Sequence, residues 1–318
     1  MEILTIFMVA VVSLFFLFKY RKHRPIQQLQ GPPRPSLLLG HELDLRAQPT
    51  VGGLETAWQK AYGNTFRIGG CFAQDILMTS DPKAIQHILR NSGYQYPKTK
   101  DVAHLWDMVV GKGLVAVTGP VHQRQRRILS PAFSASQLKE YMANASDNKL
   151  LDEDEVLSQL ATFTLGGEDT TAATVAWTLY ELSRQPDYQA RVREELRKGP
   201  GDYDSTPLLN AAINESLRLH PIVYTFSRYA AQDDAIPLSN PIHTRTGETW
   251  NEIPVKKGQM VMISAYTYNR LSSVWGDSPD DWIPERFFAP EAKDRISVGL
   301  HANLLKFSDG VHGCIGWK

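Results

Sequence analysis

Apolar and polar positions alternate along this chain mostly with the helical period, and strand-like stretches are short. The N-terminus is the exception. Ile3 to Phe18 is apolar apart from Thr5 and Ser13, and Lys19, Arg21, Lys22 and Arg24 follow at once. A core helix is amphipathic, whereas this run is apolar on every face. No small-residue cleavage site follows it, which favours an uncleaved anchor over a removable signal peptide. The run is short of the roughly 20 residues that cross a bilayer. Met1, Tyr20 and snorkelling lysines extend it. The basic cluster predicts a cytosolic body. The expected organisation is therefore a transmembrane anchor over 1–20, a basic and proline-rich hinge over 21–40 and a single body over 41–318. In the hinge, Pro25 and Gly31-Pro32-Pro33-Arg34-Pro35 stiffen the exit into an extended spacer.

The body begins with a helix from Glu55. Short strands follow at Phe66-Arg-Ile and Ile76-Leu-Met, and Asp81-Pro82 starts a second helix with proline at its first position. Val121 to Leu129 reads as a basic helix. The longest helical pattern runs from Asp152 to Gln185, with Asp152 and Glu155 as a capping pair and Pro186 as its stop. Val156, Leu160, Phe163, Ala173, Ala176, Leu179 and Leu182 recur at helical spacing along it. Its length is about 50 Å. Thr206-Pro207 opens another helix, with Thr206 as cap, which ends at His220-Pro221. Strand-like runs at Ser227-Arg228 and Ile236-Pro-Leu complete a mainly α body with a small β-sheet region (α+β).

Composition narrows the function classes only slightly. The 318 residues carry 34 basic and 34 acidic side chains, so no charge excess draws the chain to nucleic acid. Two cysteines, Cys71 and Cys314, exclude a disulfide framework. Cys71 sits in the strand-like run Thr65–Phe72 and reads as packing. A zinc site from His301, His312 and Cys314 lacks a fourth ligand.

Cys314 stands in a different setting, Phe307-Ser-Asp-Gly310-Val-His312-Gly-Cys314-Ile-Gly316. It is either an ordinary buried cysteine in a glycine-rich turn or a thiolate presented to a haem iron. The second reading gives each neighbour a task. Gly310 takes a positive φ and Gly316 leaves room beside a porphyrin. Phe307 shields the sulfur, and His312 meets a haem propionate. In the long helix, Gly166-Gly167-Glu168-Asp169-Thr170-Thr171 adds two mid-helix glycines, each costing about 1 kcal/mol against alanine. They are expected to open the helix locally, with Thr170 offering a hydroxyl at the gap and Asp169 relaying protons.

These motifs, in this order, resemble the cytochrome P450 family. Residues 307–316 resemble its haem-binding loop Phe-x-x-Gly-x-Arg-x-Cys-x-Gly, with histidine in the arginine position. Residues 166–171 resemble its Ala/Gly-Gly-x-Asp/Glu-Thr-Thr motif. Glu215-Ser-Leu-Arg218 and Pro284-Glu-Arg286-Phe287 resemble Glu-x-x-Arg and Pro-Glu-Arg-Phe, and the resemblance implies that Glu215, Arg218 and Arg286 form one buried triad. His122 and Arg126 occupy the tryptophan and arginine positions of the family's Trp-x-x-x-Arg, whose side chains reach a haem propionate. Read without the family, that helix equally presents a solvated basic face. Arg228 is a second propionate candidate.

The resemblance implies haem b ligated by Cys314, with Thr170 and Asp169 in O2 activation and proton delivery. It also implies O2 and a small lipophilic substrate, electrons from NADPH–cytochrome P450 reductase, and a single-pass endoplasmic reticulum protein of fungal secondary metabolism with a cytosolic body. Two pieces of the family pattern are missing. The sequence jumps from Phe133–Tyr141 to Asn144–Asp147 where several helices, including those roofing the substrate pocket, are expected. The chain also stops four residues after Cys314. The fold is therefore expected to be P450-like but incomplete, and an inactive membrane-tethered remnant or mis-spliced product is the alternative function.

Overall fold

The computed structural model describes residues 7–8, 10–13, 24–133, 151–199, 206–288 and 296–317. Most of the N-terminal apolar run and its basic cluster lie outside the described residues, as does the break near residues 134–150. Residues 7–8 and 10–13 are helical. Among the described residues, no helix is long and apolar enough to cross a membrane.

Two small sheets sit beside the helices. β1 (Thr65–Gly69) pairs antiparallel with β2 (Asp75–Thr79). β2 pairs parallel with β6 (Met260–Ser264), which pairs antiparallel with β3 (Thr225–Tyr229), giving the order β1-β2-β6-β3. β2 is buried along its whole length, as befits an interior strand covered on both faces. β4 (Asp234–His243) and β5 (Thr249–Val255) form the second sheet. Ile236, Leu238, Ile253 and Val255 alternate along its two strands and face the main core with Ile85 and Ile88, the period-2 signature of a half-buried ribbon.

The helical elements include α1 (Gly53–Tyr62), α2 (Pro82–Gln86), α3 (Lys100–Val110), α4 (Gly119–Leu129), α5 (Glu153–Arg184), α6 (Pro186–Arg197) and α7 (Pro207–Leu219). Two starts follow the local sequence signals. The Asp81 carboxylate accepts from the Lys83 and Ala84 amides at 3.0 Å each. Asp152 and Glu155 close a reciprocal capping box on α5. A third does not. Thr206 makes no side-chain cap bond to α7; Glu195 of α6 instead accepts from Leu208 N (2.9 Å) and Leu209 N (3.1 Å). A carboxylate at a helix N-terminus satisfies orphan amides and the macrodipole together, so it displaces the hydroxyl.

One expectation for α5 is corrected. The helix runs unbroken through Gly166 and Gly167. Nothing stands within 4 Å of where either glycine's Cβ would be, so no wedge holds the backbone open and the helical hydrogen bonds persist. Its apolar positions are mostly uncovered: Val156, Leu160 and Leu179 are exposed, as are Leu157 and Val175, while Leu182 is buried. The described residues supply no layer over this face. Each fully buried leucine would contribute about 1.5–3 kcal/mol, and α5 forgoes most of that here.

Candidate functional site: a thiol loop beside a cation cluster

The loop carrying Cys314 is held from behind. Asp309 is 1% exposed, and its carboxylate accepts from the amides of Gly310 (2.7 Å) and Gly299 (3.0 Å) and from Arg90 Nε (3.2 Å). Gly310 has φ +61°, and a Cβ there would stand 1.8 Å from the Leu89 carbonyl oxygen. Left-handed backbone and close approach both demand glycine. Cys314 N–H donates to the Phe307 carbonyl at 2.7 Å, fixing the turn that carries the sulfur. At Gly316 the nearest atom to a Cβ is Phe133 Cε1 at 4.0 Å, an ordinary van der Waals distance. Cys314 is exposed. Partial burial nevertheless pushes the thiol pKa up, opposed by the Gly316 amide and the Arg126 guanidinium.

Four separate segments bring basic side chains together beside this loop: α4 supplies His122 and Arg126, β3 supplies Arg228, the loop supplies His312, and the stretch before α3 supplies Lys98. Arg126 Nη1 donates to the Gly313 carbonyl at 2.5 Å. The His122 and His312 rings lie 4.6 Å apart, with Tyr94 edge-on to both and bonded through its hydroxyl to His122 Nδ1 at 3.0 Å. Lys98 and Arg228 face each other across an isolated β-bridge, and Lys98 Nζ donates to the Val115 carbonyl.

Burial is the first cause that destabilises each charged form, and for Lys98, His122 and His312 cationic neighbours are the second. Lys98 is pulled down to about 7, with Arg228 and Arg126 adding to burial. His122 falls to about 4, with Lys98 and Arg126 adding. His312 falls to about 2, with His122, Arg228, Lys98 and Arg126 adding. Burial alone lowers Arg228 to about 10. None of these shifts has a carboxylate among its causes.

Both ring nitrogens of His312 and Nε of Arg228 are buried without a hydrogen-bond partner. Buried polar atoms are nearly always paired, so such orphans mark an unmade interaction. A group with two carboxylates would satisfy the cluster and reverse the sign of every local charge effect. Haem fits this requirement: Cys314 would take its iron, and Lys98, Arg126, Arg228, His122 and His312 would take its propionates. Lys98 and Tyr94 were invisible to motif reading, because only the folded β-bridge carries Lys98 to Arg228. The bridge is held by the Pro97 carbonyl, which accepts from Tyr229 N at 3.2 Å, and by the Gln95 carbonyl, which accepts from Ala231 N at 2.9 Å.

The structure also brings Glu215, Arg218 and Arg286 together. Glu215 and Arg218 are fully buried. Arg218 Nε and Nη2 donate to Glu215 Oε2 and Oε1 at 2.7 and 2.8 Å. Arg286 Nε stands 3.4 Å from Glu215 Oε1. Asp169 and Thr170 lie elsewhere, on the uncovered stretch of α5. Asp169 is exposed, and the Thr170 hydroxyl donates back to the Gly166 carbonyl at 2.6 Å. Among the described residues, no hydrogen bond or ion pair joins either to the cation cluster.

Comparison with known proteins returns one family, Cytochrome P450, matched over residues 30–145 and 135–318. Cytochrome P450 monooxygenase claP of Ampulloclitocybe clavipes is 24% identical over 437 residues, covering 91% of this chain and 82% of that protein. Cytochrome P450 monooxygenase 128 of Postia placenta is also 24% identical, over 92% of this chain and 83% of its own length. Ganoderic acid synthetase CYP5150L8 of Ganoderma lucidum is 35% identical over 57% of this chain and 36% of its own length. A 437-residue alignment on a 318-residue chain requires gaps in this chain. The two family matches meet at residues 135–145, where the sequence pattern jumps.

Proposed function

The chain belongs to the cytochrome P450 family and is an oxidoreductase of the monooxygenase class; from that premise we propose that it holds haem b through Cys314 and inserts one oxygen atom of O2 into a small lipophilic substrate of fungal secondary metabolism, with electrons from NADPH–cytochrome P450 reductase. The observation that carries this reading is the buried cation cluster beside Cys314, with its orphaned His312 and Arg228 nitrogens. When bound, the haem supplies O2 redox chemistry at a thiolate-ligated iron. The protein's own residues do the rest. Lys98, Arg126 and Arg228 bind the propionates through charge-assisted hydrogen bonds, and the two neutral histidines donate to them. The Phe307 carbonyl fixes the turn that aims Cys314. Asp169 draws protons from solvent, and Thr170 passes them on after its hydroxyl rotates off the Gly166 carbonyl.

Thr170→Ala tests the last assignment. In a haem-loaded chain supplied with NADPH and the reductase, hydrogen peroxide release per NADPH should rise severalfold while haem content stays unchanged. Unchanged coupling would remove Thr170 from proton delivery. A second reading, haem binding without efficient turnover, is favoured by the uncovered apolar face of α5, since ligand sites normally bury most of their ligand. Under that reading the reduced, carbon-monoxide-treated protein gives the far-red-shifted Soret band, but no product forms.

In the same proposal residues 1–20 anchor the chain in the endoplasmic reticulum membrane and the body is cytosolic, with the proline-rich stretch of 21–40 leading into it. That stretch is packed on the body, since Ile26 and Leu29 are buried in the main core and Arg34 pairs with Asp75. The uniform apolarity of Ile3–Phe18 and the basic cluster after it support the anchor. Removing residues 1–24 is expected to move the protein from carbonate-washed membranes to the soluble fraction. Retention in the membranes would refute the single anchor.

A further inference from the structure

Lys306 directly precedes the aromatic of the thiol loop, and its ammonium is poorly solvated: burial alone pulls its pKa from the usual lysine range to about 7. None of the ion pairs among the described residues involves it. Its Nζ donates to Asn214 Oδ1 at 2.8 Å and stands 4.9 Å from the centroid of the Phe307 ring. Asn214 is the residue before Glu215 on α7. The Phe307 carbonyl in turn accepts the Cys314 amide at 2.7 Å. A continuous line of contacts thus runs from α7 through Asn214, Lys306 and Phe307 to the sulfur-bearing turn.

Burying an ammonium without a carboxylate is costly. A methionine would fill the same space with no charge to desolvate. The cation therefore does not serve global stability, and its two partners indicate what it does serve. Nζ contacts one group on α7 and one aromatic face of the loop, so it joins the two. We propose that Lys306 is a positioning residue that pins the Cys314 loop to α7 through Asn214 and the Phe307 ring before any haem is bound. This rests on Cys314 being the haem ligand.

Hydrogen exchange of the haem-free full-length chain, read by mass spectrometry on peptides covering 305–317, tests the pinning directly. Local exchange reports local opening. In Lys306→Met the loop is expected to exchange about tenfold faster, the size of one lost hydrogen bond to a charged group, while the melting temperature stays level or rises. Asn214→Asp, which offers the ammonium a carboxylate, is expected to slow the same peptides. In the haem-loaded protein, Lys306→Met should lower the fraction of the carbon-monoxide complex in the far-red-shifted band without moving that band. Unchanged loop exchange in Lys306→Met would overturn the proposal. So would faster exchange spread across the chain with a lower melting temperature, because that describes ordinary destabilisation. Absence of the far-red-shifted band from the unsubstituted protein would instead refute Cys314 as ligand, and the haem-free exchange data would separate the two failures.

Discussion

Cys314→Ala is expected to abolish the far-red-shifted Soret band of the reduced, carbon-monoxide-treated protein, and Cys314→Ser to do the same. Only a thiolate gives the strong electron donation behind that shift, and a serine hydroxyl remains protonated at neutral pH. The other cysteine cannot substitute. Cys71 lies on the β1–β2 turn with its Sγ 3.9 Å from the Leu39 carbonyl oxygen, and it has no contact with the cation cluster among the described residues. Haem content is expected to fall only in part, because Lys98, Arg126 and Arg228 keep their hold on the propionates. The variant should then show an unshifted Soret band, with water or a histidine at the iron. His122 and His312 are both neutral at pH 7 and so available as replacement ligands. A far-red-shifted band surviving in Cys314→Ala would overturn the assignment of the ligand.

How much of this was legible in the sequence depends on the range of the interaction involved. The caps at Asp81 and Asp152 are local, and the residues that satisfy them lie within three positions, so composition and spacing predict them. The cap of α7 is not local, and Glu195 displaces Thr206 from a helix away. The thiol loop was legible because its glycines answer to backbone constraints: Gly310 has no alternative beneath the Leu89 carbonyl. The mid-helix glycines of α5 were misread for the opposite reason. Glycine permits an opening but does not create one, and no neighbouring group stands close enough to force it. Burial along α5 is not legible in the sequence, because periodicity reveals which face is apolar and not whether anything covers it. Lys98 and Lys306 carry no motif. Their importance arises from what faces them: Arg228 and Arg126 for one, Asn214 and the Phe307 ring for the other.

Glu215→Ala is expected to cost about 3–5 kcal/mol of stability, the penalty for breaking a buried pair and leaving its partner charged. Arg218 is fully buried and loses two charge-assisted bonds at once. Its remaining bonds go to the carbonyls of Asn269 (2.7 Å), Pro279 (2.6 Å) and Asp281 (3.0 Å), which cannot neutralise it. Glu215 Oε1 also accepts the Ile283 amide at 2.8 Å, so the alanine variant orphans a backbone donor as well. Domain stabilities are about 5–15 kcal/mol, so one substitution removes about a fifth of the total or more. Glu215→Gln separates charge from shape. Its one amide oxygen can accept from both Ile283 N and Arg218 Nη2, while its NH2 replaces the acceptor of Arg218 Nε, so it should fall between the alanine variant and the native chain. The effect should also reach the thiol loop, since Asn214 precedes Glu215 on the same turn of α7 and holds Lys306. Urea unfolding of the three proteins would check the ordering. A loss below about 1 kcal/mol in Glu215→Ala, the level of an exposed ion pair, would mean that α7 and the segment 275–287 hold together without the triad.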